Sequence, residues 1–184
     1  MLGHLSVSTG IHLLRSFYLI YVNKSFNLFL AICHIQLFNT SVADEVAFGP
    51  QHLGLTDQAV QQRVTDCLRL LRIERLRNRV PYHLSGGEQK LVAIASVLTM
   101  NPQVIILDEP FNGLSPKYRT LISRVIHQLH EAGKTIIISS HHFNQIRSLV
   151  NRIYVFSANH TITKEITSKE LAGMPSFIGY LDNL

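Results

Sequence analysis

Tryptophan is absent from this 184-residue chain, and cysteine occurs only twice, as Cys33 and Cys67. Two such cysteines form neither a metal-ligand spacing nor a disulfide framework, so a reducing setting is the default expectation. Charged residues are also scarce at 16%, no low-complexity tract is present, and hydrophobic residues reach 46%. That balance excludes a largely disordered chain and suits one folded domain, with room for a small subdomain. A long uninterrupted apolar run is missing too. Ser16 to Cys33 is apolar and aromatic, but Asn23, Lys24, Ser25 and Asn27 fall at its centre. A membrane span needs about 20 mostly apolar residues, and a central Lys costs on the order of 2.5–3.5 kcal/mol. No small-residue cleavage site follows cleanly, so a signal peptide fits poorly as well. Residues 1–35 are therefore expected to form an atypical N-terminal extension. The formal charge of +5 raises the question of nucleic acid. Its only dense basic run, Arg69, Arg72, Arg75, Arg77 and Arg79, is interrupted by Leu and Glu and lacks interleaved aromatics, so it reads as a solvated helix face and loop.

What is present alternates. Thr40-Ser41 begins a short helix that Gly49-Pro50 should close. Thr56 caps a second helix from about Asp57 to Arg72, with Val60, Val64, Cys67, Leu68 and Leu71 at helical spacing. A loop with Pro81 leads to a helix over Gly87–Met100, stopped by Asn101-Pro102. A strand over Val104–Asp108, a helix from Pro116 to Ala132 ended by Gly133, and a buried strand over Thr135–Ser140 follow. A helix over His142–Val150, an antiparallel pair (Ile153–Phe156 with Thr161–Ile166) and one short helix after Ser168 complete the pattern. Strands alternating with helices predict an α/β fold around a parallel sheet.

Two stretches carry the chemistry. Leu84-Ser85-Gly86-Gly87-Glu88-Gln89-Lys90 puts serine and two glycines ahead of a helix, building an N-terminus whose free N–H groups suit an anion such as phosphate. Ser85 and Glu88 also have the spacing of a capping box. Val104-Ile105-Ile106-Leu107-Asp108-Glu109-Pro110 is a buried-strand run ending on two carboxylates, at the sheet edge where α/β folds place ligands. The pair, in this order and at this distance, strongly resembles the signature and Walker B motifs of ATP-binding-cassette (ABC) ATPases.

The resemblance implies a P-loop NTPase-like parallel sheet, here truncated, with a helical signature subdomain over residues 36–100. Residues 101–184 would hold the Walker B and switch-histidine α/β core and a C-terminal hairpin. It implies ATP and Mg²⁺ as cofactors, shared between two cassettes. Asp108 would help hold Mg²⁺, and Glu109 would orient and polarise the attacking water. His141, in Ser139-Ser140-His141, matches the switch histidine that meets the γ-phosphate. Ser85, Gly86, Gly87, Glu88 and Gln89 would face ATP held by the partner cassette.

The chain also departs from the family. A P-loop reads Gly-x-x-x-x-Gly-Lys-Ser/Thr. The only Gly-Lys-Thr, Gly133-Lys134-Thr135, has Gln128 five positions before Gly133 and follows a helix, so it is a helix cap. Gln36 to Val42, Asp44 to Pro50 and Leu53-Gly54-Leu55 resemble the energy-coupling-factor branch of importers, the cobalt/nickel and vitamin type. There the Q-loop glutamine would fall where Ala31 stands, and the D-loop carboxylate is replaced in Leu114-Ser115-Pro116. The resemblance runs from about residue 36 to 166. It implies a partial ATPase subunit of a metal-ion or vitamin importer, peripheral on the cytoplasmic membrane face, with a second cassette and an integral membrane subunit as partners and no nucleic acid. The alternative is a non-catalytic remnant that lends only its signature to a partner. A DNA-repair-type ATPase shares both motifs but carries long heptad regions that are missing here. Without a P-loop, the isolated chain is expected to be inactive and not to bind ATP measurably.

Overall fold

The structure is a computed structural model that describes residues 37–157 and 159–175, and the backbone of 21–22 and 28–31. The question of a span or signal over Ser16–Cys33 falls mostly outside these residues. The described residues form two compact units, one ending at Ser139 and one starting at Ser140.

The first unit is built on a four-stranded sheet. β1 (Tyr21–Val22) runs antiparallel to β2 (Leu28–Ala31); β2, β3 (Val104–Asp108) and β4 (Thr135–Ser139) run parallel, in that order. The sheet therefore crosses the boundary expected at residue 36. Leu28 pairs with Val104 and Ala31 with Leu107, so the position expected for the Q-loop glutamine ends the strand beside Walker B. Parallel neighbours need a crossover, and α4 (Pro116–Glu131) supplies it between β3 and β4.

Strand alternation sends Ile105 and Leu107 to one face, where they are 2% and 5% exposed. α3 (Gly86–Leu98) and α4 cover that face with Ile94, Val97, Leu98, Ile122, Val125 and Ile126 around a small apolar cavity of about 10 Å³. Ile106 and Ile137, paired across β3 and β4, lie on the other face. Ile137 is 50% exposed, so β4 is not the buried strand its Ile-Ile-Ile run predicts.

α1 (Val42–His52) packs against α3 and does not stop at Gly49-Pro50. Ser41, not Thr40, caps it by accepting from the Asp44 N–H at 3.1 Å. Pro50 cannot donate to the Val46 carbonyl one turn back, but the buried Thr99 hydroxyl of α3 donates to that carbonyl at 3.1 Å. A Cβ on Gly49 would meet Met100 Sδ at 2.6 Å, so the glycine permits close packing. Two residues that normally end helices are here packing devices.

α2 (Asp57–Leu70) is capped by Thr56 and buries Val60, Val64 and Leu68 as its periodicity predicts. Short 3₁₀ turns at Glu74–Leu76 and Pro81–His83 carry the chain to α3. α3 begins at Gly86 with the predicted Ser85–Glu88 capping box formed. Asn101 (φ 53°) and Gly133 (φ 81°) provide the left-handed stops after α3 and α4.

The second unit holds α5 (Phe143–Ile146), β5 (Arg152–Phe156), β6 (Ile162–Thr167) and α6 (Ser168–Ala172). α5 is far shorter than the predicted helix over His142–Val150; its cap His142 has φ −113° and makes no side-chain capping bond. The β5–β6 hairpin is antiparallel as expected, with Arg152 and Tyr154 both reaching Glu165.

Candidate functional site

Each candidate side chain of the first unit sits at an element end. The signature lies at the N-terminus of α3. Ser85 N donates to Glu88 Oε2 at 3.2 Å, and the Ser85 hydroxyl donates to the same oxygen at 2.9 Å. Arg75 holds the other carboxylate oxygen at 2.6 Å. Partial burial by itself would raise the Glu88 carboxyl, but the bonds from Arg75 and Ser85 outweigh it and hold the group below the ordinary range. The negative charge at this anion-accepting terminus is therefore matched by a guanidinium. Gln89 turns back to the Pro81 carbonyl at 3.4 Å and ties the preceding loop to the helix.

The two signature glycines differ in what they do. A Cβ on Gly87 would stand 3.1 Å from the Tyr118 ring, so a larger residue there would press on α4. Around Gly86 there is open space, and its φ is not positive. Among the described residues no contact asks for glycine at this exposed position.

Walker B ends β3. The Ser139 hydroxyl donates to Asp108 Oδ1, and the Glu109 N–H donates to the Ser139 carbonyl at 3.0 Å, so β4 holds both residues from the side. Glu109 has φ 45°, a left-handed conformation that costs a non-glycine residue about 1–3 kcal/mol and gathers at functional sites. Buried Pro110 and Phe111 follow, fixing the exit of the chain. Lys90 of α3 donates to the carbonyls of Glu109 (3.0 Å) and Asn112 (2.7 Å).

Among the described residues no cluster of three His, Cys, Asp or Glu forms a metal set. A nucleotide-bound Mg²⁺, however, takes one or two protein oxygens and fills the rest with phosphate and water. The Asp108 carboxylate beside the Ser139 hydroxyl fits that partial role. The ion would neutralise phosphate charge; Glu109, half-buried at the same strand end, offers a second carboxylate to orient water. His141 is exposed and lies in the second unit, two residues past β4. Burial first, and then Asp66, push the Cys67 thiol up to about 12, which favours its protonated form near neutral pH.

Residues 25–112 match the ABC transporter family. The chain belongs to that family, and its fold is that of an ABC cassette. It is 46% identical over 142 residues to the nickel import ATP-binding protein LarO of Lactiplantibacillus plantarum, covering 77% of this chain and 59% of the relative. It is 44% identical over 128 residues to the energy-coupling factor transporter ATP-binding protein EcfA of Methanoculleus marisnigri, covering 69% and 46%. Among solved structures it resembles cbiO1 of Clostridium perfringens, part of the ABC transporter complex cbiONQ. That match has a TM-score of 0.70 at 31% identity and covers 83% of this chain and 61% of that one. The chain thus spans about half the length of the curated relatives it matches.

Arg75 and Lys90 escaped sequence reasoning in these roles. Arg75 lies thirteen residues before Glu88 inside a run that reads as solvated, and only the fold brings them together. Lys90 belongs to the signature stretch, but nothing local marks a partner nineteen residues away.

Proposed function

We propose that this chain is an ATP-binding subunit, in part, of an energy-coupling-factor-type importer of a metal ion or vitamin. The names of its relatives, which include a nickel import protein and energy-coupling factor ATPases, support the importer branch. In this reading the chain is peripheral on the cytoplasmic membrane face, pairs with a second cassette and drives an integral membrane subunit. Ser85, Gly86 and Gly87 face Mg-ATP held by the partner cassette, with Glu88 and Gln89 shaping the terminus. On the chain's own side Asp108 would help hold Mg²⁺ and Glu109 would orient water, and His141 keeps its proposed role as the switch histidine.

The carrying observation is Gly86, an exposed glycine at the start of α3 with open space where a Cβ would stand. A backbone approach from outside accounts for it, and a partner's γ-phosphate is an anion suited to a helix N-terminus. A second reading, a non-catalytic remnant that lends only this signature, draws support from the missing P-loop.

The test has two arms. Mg-ATP titrated into the isolated chain should show no binding, and Glu109→Gln should change nothing there; micromolar affinity would overturn this. Mixed with a full-length energy-coupling-factor cassette, the chain should raise its Mg-ATP turnover, and Gly86→Asp should abolish that rise. Turnover unaffected by the chain would sink the signature role.

A further inference from the structure

We infer that Lys90 is a positioning residue for Glu109. The inference rests on the reading of Glu109 as the carboxylate that orients water, and it concerns how that carboxylate is aimed.

The direction of a Cα–Cβ bond is set by the two peptide groups that flank it. At Glu109 both are held by groups distant in sequence. The preceding peptide is fixed through its N–H, which donates to the Ser139 carbonyl of β4 at 3.0 Å. The following peptide is fixed through its C=O, which accepts from the Lys90 ammonium at 3.0 Å. The same ammonium donates at 2.7 Å to the Asn112 carbonyl, at the far end of the turn that the Asn112 N–H closes onto the Glu109 carbonyl. One cation thus clamps both ends of the Glu109–Asn112 turn.

Such a clamp has something to resist. Glu109 stands at φ 45°, which an L side chain adopts only when its surroundings over-determine it. Rotation to an ordinary negative φ would swing the carboxylate to another direction and break one of the two peptide contacts. The bond from the sheet acts on the first peptide, and the Asn112 N–H holds the second at 3.3 Å. The lysine adds a shorter hold on that carbonyl, and an ammonium donor makes a stronger bond to a carbonyl than a neutral donor does.

The clamp also starts from a significant place. Lys90 is on the first turns of α3, one turn beyond Gly86, and α3 is packed against α4 through Gly87 and Tyr118. The helix that presents the signature therefore also holds the backbone of the Walker B glutamate.

The whole chain, isotopically labelled, should be compared by NMR with K90M, K90Q and K90R, and with K134M as the control. Lys134 makes a similar contact to Asn101 on the same unit, so it reports the general effect of losing a lysine bond. In K90M and K90Q the carbonyl shifts of Glu109 and Asn112 and the coupling that reports φ at Glu109 should move toward averaged values. Exchange of the Asn112 amide should speed up about tenfold, the scale of losing a charge-assisted bond. K90R, which keeps a cationic donor, should restore the wild-type signals, and K134M should leave them alone. Unchanged Glu109 signals in both neutral variants would overturn the inference. So would an arginine variant that behaves like methionine, or a control that moves Glu109 equally. If the chain fails to stimulate a full-length cassette while these signals still respond to Lys90, the proposed function falls and the clamp stands.

Discussion

Glu88 occupies a place where charge has two opposed effects. A carboxylate on the first turn of a helix is favoured by the macrodipole and completes the capping box. A carboxylate beside a bound phosphate would repel it, and Arg75 at 2.6 Å offsets that repulsion. Because the folded carboxyl lies below its ordinary range, Glu88 stabilises the fold fully above the unfolded value, about pH 4.3. That contribution is lost as pH falls through the lower folded value. Glu88→Gln can still close the capping box but loses the charge, and should therefore cost up to about 1 kcal/mol near pH 7. The difference from wild type in urea unfolding should shrink steadily as pH falls below the unfolded value and through the lower folded one. A difference independent of pH would show that the charge on Glu88 plays no part. Arg75 is largely exposed, so added salt should weaken the pair.

The α1–α3 contact shows how far an element depends on its neighbour. Gly49-Pro50 reads as a helix stop because proline removes one backbone donor and glycine loses much freedom on ordering. In the fold, Thr99 satisfies the carbonyl that Pro50 leaves, and Gly49 makes room for Met100. The Ser96 carbonyl lies 2.9 Å from the same Thr99 hydroxyl and shares its single proton with the Val46 carbonyl, and Arg63 donates to the Thr99 carbonyl at 3.0 Å. Thr99→Val keeps the shape but leaves the Val46 carbonyl buried and unpaired, which should cost about 1–3 kcal/mol in denaturant unfolding. A loss much smaller than that would mean Val46 finds another donor. Asp44 and Glu45, which the importer resemblance brings forward, have local tasks as well. Asp44 accepts from the Ser41 hydroxyl, and Glu45 accepts from Phe38 N, Asn39 N and Asn39 Nδ2.

At the scale of the molecule, β3 and β4 carry apolar residues on both faces, and on the second face Ile106 is half-buried and Ile137 half exposed. Parallel sheets are ordinarily buried on both sides. Among the described residues β4 is also the last strand of its sheet, and an uncharged edge with Ile137 half exposed is a template for association. The chain should self-associate as concentration rises, and Ile137→Lys should suppress this while changing unfolding stability by about 1 kcal/mol or less. Light scattering that is identical for the two proteins would contradict that expectation. What the sequence by itself determined was local: the capping box at Ser85, the stops at Asn101 and Gly133, the β3 strand with its two carboxylates, and the alternation that specifies an α/β sheet. Each follows from neighbours within a turn or a strand length. The tertiary structure alone decided that Pro50 continues a helix, that Arg75 answers Glu88, and that β2 enters the sheet. It alone also put Lys90 and Ser139 on either side of Glu109. Those outcomes depend on hydrogen-bond partners supplied from thirteen to more than fifty residues away, whose donors and acceptors no local pattern can reveal. The signature terminus looks the same in both views, because its donors are its own backbone. The aim of the Walker B glutamate exists only in the fold, because the peptides that set it are held by two other elements.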